Sequence, residues 1–145
     1  MKLSYLTLAA LAALPAPALA GTVTVDLSGI RQGTGDLYVS LQTREQFMKP
    51  QGTTGEIVTR PAPGSRTVTL ADVPAGTYAI SVWHDVNGNK RWDGEETVGK
   101  DGPLDGWAML NGDKLRAEPK FDEVSFALTD APQTFNLALR YGYGR

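Results

Sequence analysis

The chain has no cysteine among its 145 residues. That absence excludes a disulfide framework, a thiol nucleophile, a cysteine zinc site and a lipidated lipoprotein N-terminus. Histidine is nearly as scarce: His84 stands alone, too little for a histidine-based metal or catalytic centre. Neither sign of charge dominates. Fourteen basic and 16 acidic side chains give a formal charge of −2, without the basic excess of a nucleic-acid binder. No serine lies in a Gly-x-Ser-x-Gly elbow and no glycine loop has the spacing that cradles phosphate. Glycine (16) and proline (nine) are plentiful, and they punctuate a turn-rich fold.

One apolar run is present, at the start. Lys2 precedes a stretch from Leu3 to Leu14 that is apolar apart from Ser4, Tyr5 and Thr7, then Pro15 and Pro17, then Ala18-Leu19-Ala20. A positive end, a short apolar middle and a small-residue Ala-x-Ala finish are the three parts of a secretory signal, with cleavage expected after Ala20. The run is shorter than the roughly 20 residues a membrane-spanning helix needs. The expectation is a signal peptide at 1–20 and one domain at 21–145, periplasmic or secreted, with no stable membrane insertion after cleavage.

The remaining segments alternate apolar and polar residues with period two, separated by turn residues, which is the pattern of half-buried strands. Val23, Val25 and Leu27 share one face of 22–27, and Leu37, Val39 and Leu41 share one face of 36–42. Residues 43–48 read as one helical turn with Phe47 inward, and 49–55 as loop. An edge strand at 56–59 precedes strands at 66–70, 77–84, 124–128 and 135–141. Seven strands without a long helix predict an all-β fold: a single antiparallel β-sandwich with an Ig-like or transthyretin-like Greek key. Tyr78, just after Pro74-Ala75-Gly76, stands where sandwich tyrosines bond back to the preceding corner.

The chemistry is concentrated in the loop after the strongest strand. Asp85, Asn87, Asn89, Asp93 and Glu96 occupy the first, third, fifth, ninth and twelfth places of a calcium-type loop, with the Arg91 carbonyl at the seventh. Calcium takes six to eight hard oxygens, and alternate spacing turns the side chains of one tight loop inward. The sixth place is Lys90, where helix-loop-helix calcium loops carry glycine. Asn87-Gly88 also reads as a plain hairpin turn, which leaves Asp93 and Glu96 unexplained. Calcium (Ca2+) is the expected cofactor, with a dissociation constant on the order of 10⁻⁴–10⁻³ M, as in extracellular modules.

At this loop the sequence resembles a bacterial family, the domain of unknown function numbered 2141. The likeness is carried by Pro74-Ala75-Gly76-Thr77-Tyr78-Ala79, by His84-Asp85-Val86-Asn87-Gly88-Asn89 with Asp93 following, and by a glycine-rich segment with Pro103, Asp105, Gly106 and Trp107. Pro119-Lys120-Phe121 and the closing Leu137-Ala138-Leu139-Arg140-Tyr141 are similar to later stretches of the family. Lys90-Arg91-Trp92 and Ala108 depart from its glycine-containing pattern. The resemblance implies an exported bacterial β-sandwich and assigns no activity.

No catalytic residue is expected. His84 lacks a partner nucleophile in its motif, and carboxylates packed into one ion-type loop are read as ligands rather than as a glycosidase pair. Two interaction readings are carried. Trp83, Trp92 and Trp107 grouped on one rim would bind a glycan or a peptide, with coverage of the sandwich as the bland alternative. An exposed edge at 56–59 would instead pair with an envelope protein, making the domain a structural or interaction module.

Overall fold

The computed structural model describes residues 19–99 and 102–142. The signal sequence expected at 1–20 lies outside these residues except for Leu19 and Ala20. In chain order the strands are β1 (Ala20–Ile30), β2 (Leu37–Gln42), β3 (Thr54–Val58), β4 (Gly64–Pro74), β5 (Gly76–His84), β6 (Gly106–Ala108), β7 (Ser125–Leu128), β8 (Gln133–Ala138) and β9 (Arg140–Tyr141). Two one-turn helices, α1 (Glu95–Val98) and α2 (Phe121–Val124), and a 3-10 turn over Gly112–Lys114 complete the elements.

The strands form two sheets. One has the order β4-β1-β8; the other has the order β3-β2-β5-β6-β9, with β7 also pairing with β5. Every pairing is antiparallel except β1 with β8, which run parallel. Period-two alternation explains the layering. Val23, Val25, Leu27, Val39, Leu41, Val68, Ile80 and Val82 are essentially removed from solvent and meet between the sheets. Each such side chain contributes about 1.5–3 kcal/mol relative to exposure, an upper bound because the unfolded chain already hides some surface.

The all-β sandwich is as expected, with finer divisions. The run at 135–141 is one alternating segment in sequence but two strands in space: after β8 the Leu139 N–H donates to the Ser28 carbonyl, and β9 then joins the other sheet beside β6. Leu137 and Leu139 are both buried, so the alternation continues through the crossing and conceals it. Strand β6 is three residues long, too short for a periodic signal. Val124 closes α2 instead of opening a strand, and 44–48 is a series of turns rather than a helical turn. Phe47 does not enter the sandwich core. It meets Phe121 edge-on at 5.6 Å in a second cluster with Ala79 and Val124, which covers one end of the outer face of the larger sheet.

Tyr78 is buried and donates its hydroxyl to the Pro74 carbonyl at 2.9 Å, tying the start of β5 to the turn before it. Tyr78→Phe removes that bond with little change in packing. It is expected to lower the unfolding free energy by about 1 kcal/mol in urea denaturation; an unchanged midpoint would show that the corner does not depend on it.

Candidate functional site

Strand β5 delivers His84 and Asp85 to one end of the sandwich, where the chain turns through residues 85–93. Asp85 is 1% exposed, and its carboxylate shapes the turn: Oδ1 accepts the Gly88 N–H at 2.8 Å and Oδ2 the Lys90 N–H at 2.9 Å. Two further Asx turns follow, Asn87 Oδ1 accepting from Asn89 N and Asn89 Oδ1 from Arg91 N. Both amide groups then donate to Asp93 Oδ2, at 2.6 and 2.7 Å. Lys90 adopts φ 60°, the left-handed conformation that glycine takes at the sixth place of a calcium loop. A lysine there costs roughly 1–2 kcal/mol, and the Asp85 bond to its N–H holds it in place.

The turn therefore links Asn87 and Asn89 directly to Asp93, while both Asp85 oxygens are engaged by backbone N–H groups of the same turn. The Arg91 side chain is exposed, leaving its backbone as its contribution to the loop. Glu96 stands on α1, exposed, and accepts the Trp92 indole N–H at 3.0 Å. Among the described residues no group of three or more His, Cys, Asp or Glu side chains is close enough to hold a metal by itself, so an ion here would draw on the amides and the backbone as well.

Two features of the site carry roles that the sequence reading did not assign, although Asp105 stands in the segment that resembles the family. Asp105, 1% exposed at the entry to β6, accepts three N–H groups: Val86 N at 3.0 Å on Oδ1, and Trp83 Nε1 at 2.8 Å and Asp93 N at 3.1 Å on Oδ2. Its own N–H returns a bond to the Asp93 carbonyl. Burial pushes the Asp105 pKa above the ordinary carboxylate value, the three donors pull it back, and the nearby Asp85 charge adds to the rise. The second feature is the segment joining β1 to β2. Thr34 bonds through its N–H to the Val86 carbonyl and through its hydroxyl to the Asn87 carbonyl. A Cβ on Gly35 would lie 2.0 Å from the Asp85 carbonyl oxygen, so only glycine permits this approach.

His84 is fully buried. Its Nδ1 lies 2.7 Å from the Tyr141 hydroxyl, which also accepts the Arg31 N–H, and its Nε2 has no partner among the described residues. Burial lowers its pKa below the ordinary value, against the opposing pull of the Asp105 and Asp85 charges.

Two of the three tryptophans are cross-strand partners on the larger sheet. Trp83 on β5 stacks on Tyr38 of β2, with centroids 4.8 Å apart and planes at 17°, and sits opposite Trp107, which belongs to strand β6 rather than to a loop. Trp107 donates to the Gly142 carbonyl. Trp92 is on the loop, 38% exposed, and donates its indole N–H to Glu96.

The family model described as an uncharacterized protein conserved in bacteria, domain of unknown function 2141, matches residues 25–136, a span that holds the whole corner. The chain belongs to that family. No curated protein and no solved structure matches the chain.

Two outcomes follow from the geometry. Asp105→Asn places an amide nitrogen against N–H donors and is expected to lower stability by about 2–3 kcal/mol, with a red-shifted Trp83 emission as its bond is lost. For His84 the folded state favours the neutral ring, so its contribution is complete above the unfolded pKa of about 6.5 and declines as pH falls through that value toward the lower folded one. Asp105, with a raised pKa, acts with the opposite sign, its contribution being lost as pH rises through its folded value. Melting temperature is therefore expected to drop between about pH 7 and pH 5.5, and a flat profile there would contradict the assignment to His84.

Proposed function

We propose that this chain is an exported bacterial β-sandwich module with a structural or interaction role and no catalytic activity, whose 85–96 loop is closed by calcium. One observation carries the calcium reading. Asp85, Asp93 and Asp105 are three buried carboxylates at one corner, and among the described residues no cationic side chain pairs with any of them. Seven N–H donors share the compensation, yet buried charge is ordinarily met by a counter-charge. Asp85 and Asp93 would bind the ion, with the Asn87 and Asn89 amide oxygens and the Arg91 carbonyl completing a hard-oxygen set and Glu96 closing it. Asp105 would hold Asp93 and Val86 in place, as outer groups do around bound metals. The left-handed Lys90 supports the same reading, since the loop keeps the calcium-type turn without the glycine that makes it cheap.

Export is supported by the three-part leader at 1–20. Among the described residues no helix is long and apolar enough to cross a membrane. An envelope protein partner is supported by β3 at the end of its sheet order, where Ile57 is 60% exposed.

Calorimetric titration of the full chain with calcium, alongside thermal melts, tests the proposal. A dissociation constant on the order of 10⁻⁴–10⁻³ M and a raised melting temperature are expected, both lost in Asp93→Asn. Lys90→Gly relieves the backbone and is expected to add about 1 kcal/mol with calcium binding retained. The absence of both heat and a melting shift in millimolar calcium, in the parent chain and in Lys90→Gly, would sink the calcium reading.

A further inference from the structure

The other sheet carries a cavity of about 560 Å³ on its outer face, away from the acidic corner. Its polar lining is Asp26 and Ser28 of β1, Ser65, Arg66 and Thr67 of β4, and Asn136 of β8, with leucine and alanine residues of β1 and β8 between them. Its shape comes from β1. The pairing of β1 with β4 shifts register between Leu27 and Ile30, and Gly29 there takes φ 74°, a bulge that bends the strand and re-aims its neighbours.

The middle of the cavity is one cross-strand row. Asp26 lies directly opposite Thr67 on β4 and directly opposite Asn136 on β8. The Thr67 hydroxyl donates to Asp26 Oδ1, which fixes the carboxylate and leaves Oδ2 without a partner among the described residues. The Asn136 amide and the Ser28 hydroxyl likewise have no partner among them and face solvent. The neighbouring row, Thr69–Thr24–Thr134, continues the hydroxyl surface. Arg66, at the margin, turns toward Glu56 of the larger sheet at 3.7 Å.

We propose that this cleft binds a neutral carbohydrate, with adjacent ring hydroxyls of a pyranose bridging Asp26 and Asn136. The Asp26 carboxylate accepts the proton of one hydroxyl, the Asn136 amide N–H donates to that same hydroxyl's oxygen, and the Asn136 amide oxygen accepts the proton of the adjacent hydroxyl. Other classes fit less well. A single carboxylate is too little for a metal and repels anions. The row offers no aromatic or apolar anchor for a protein or peptide. The strand that carries Asp26 is already paired on both sides, so it has no free backbone edge for strand addition. The inference is independent of the calcium loop and places a sugar on a different face from the tryptophans.

Nitrogen-15 NMR titration of the full chain with methyl glycosides of glucose, mannose and galactose, and with soluble dextran, tests it. Saturable shifts are expected at 24–28, 65–67 and 134–138, with a dissociation constant on the order of millimolar for an open polar site of this size. Asp26→Asn and Asn136→Ala are each expected to weaken binding about tenfold while leaving the rest of the spectrum unchanged. Equal affinity for glycoside and dextran would identify a free sugar as the ligand; tighter binding of dextran would identify a chain segment. The absence of saturable shifts with every probe, or shifts at Tyr38, Trp83 and Trp107 instead, would overturn the proposal.

Discussion

The end of the sandwich that carries the acidic loop depends on the carboxylate of Asp105. An isolated buried carboxylate is expensive, and it persists only where donors replace the water it gave up. Asp105 draws its donors from three separate places: the Val86 backbone just past β5, the Asp93 backbone at the far end of the loop, and the Trp83 indole on the outer face of the sheet. One side chain thus sets the loop's two ends relative to the strand and fixes the tryptophan ring at the same time. The reciprocal bond from its own N–H to the Asp93 carbonyl closes the link. Asp85 then folds the middle of the loop around Lys90, and Asp93 gathers the two asparagines.

How much of this was readable in the sequence follows from the range of each interaction. Period-two alternation is local, so β1, β2, β4 and β5 stand near where the pattern puts them, and the spacing of Asp85, Asn87, Asn89 and Asp93 is local as well. The structure links Asn87 and Asn89 to Asp93 and engages Asp85 with the backbone of the same turn. Asp105 is separated from Asp85 by twenty positions and sits in a segment whose strand has only three residues, so neither spacing nor periodicity marks it. Gly33 and Gly35 look like ordinary turn residues until the Val86 and Asp85 carbonyls are seen beside them. The crossing at Leu139 is hidden for the opposite reason: the pattern there is regular, and both halves of the run bury the same side.

Lys90 shows which level of structure controls the loop. A non-glycine residue in the left-handed region is locally unfavourable, so the preference of the 85–93 sequence alone would not select this shape. Bonds from Asp85 to the Gly88 and Lys90 N–H groups inside the loop, together with the Gly35 backbone pressed against the Asp85 carbonyl from outside it, select this shape. The conformation is thus held jointly by a side chain of the loop and by the close backbone approach of the β1–β2 connection.

The two outer faces of the sandwich differ because the long connections all fall on one of them. Phe47 from 43–53 and Phe121 and Val124 from the segment after β6 cover Ala79 on the larger sheet, and Tyr38, Trp83 and Trp107 occupy the remainder as a half-buried row. Among the described residues, the three-stranded sheet receives no such cover. Its outer positions are solvated by their own side chains, and the threonines among them also keep the β preference of the strands. Because β8 runs parallel to β1, Asn136 arrives directly beside Asp26, and the β1 bulge hollows the surface next to them. The same topology that fills one face with aromatic cover leaves on the other an array of short hydrogen-bonding groups with unspent capacity, and that asymmetry is set by where the chain's loops go rather than by the composition of either sheet.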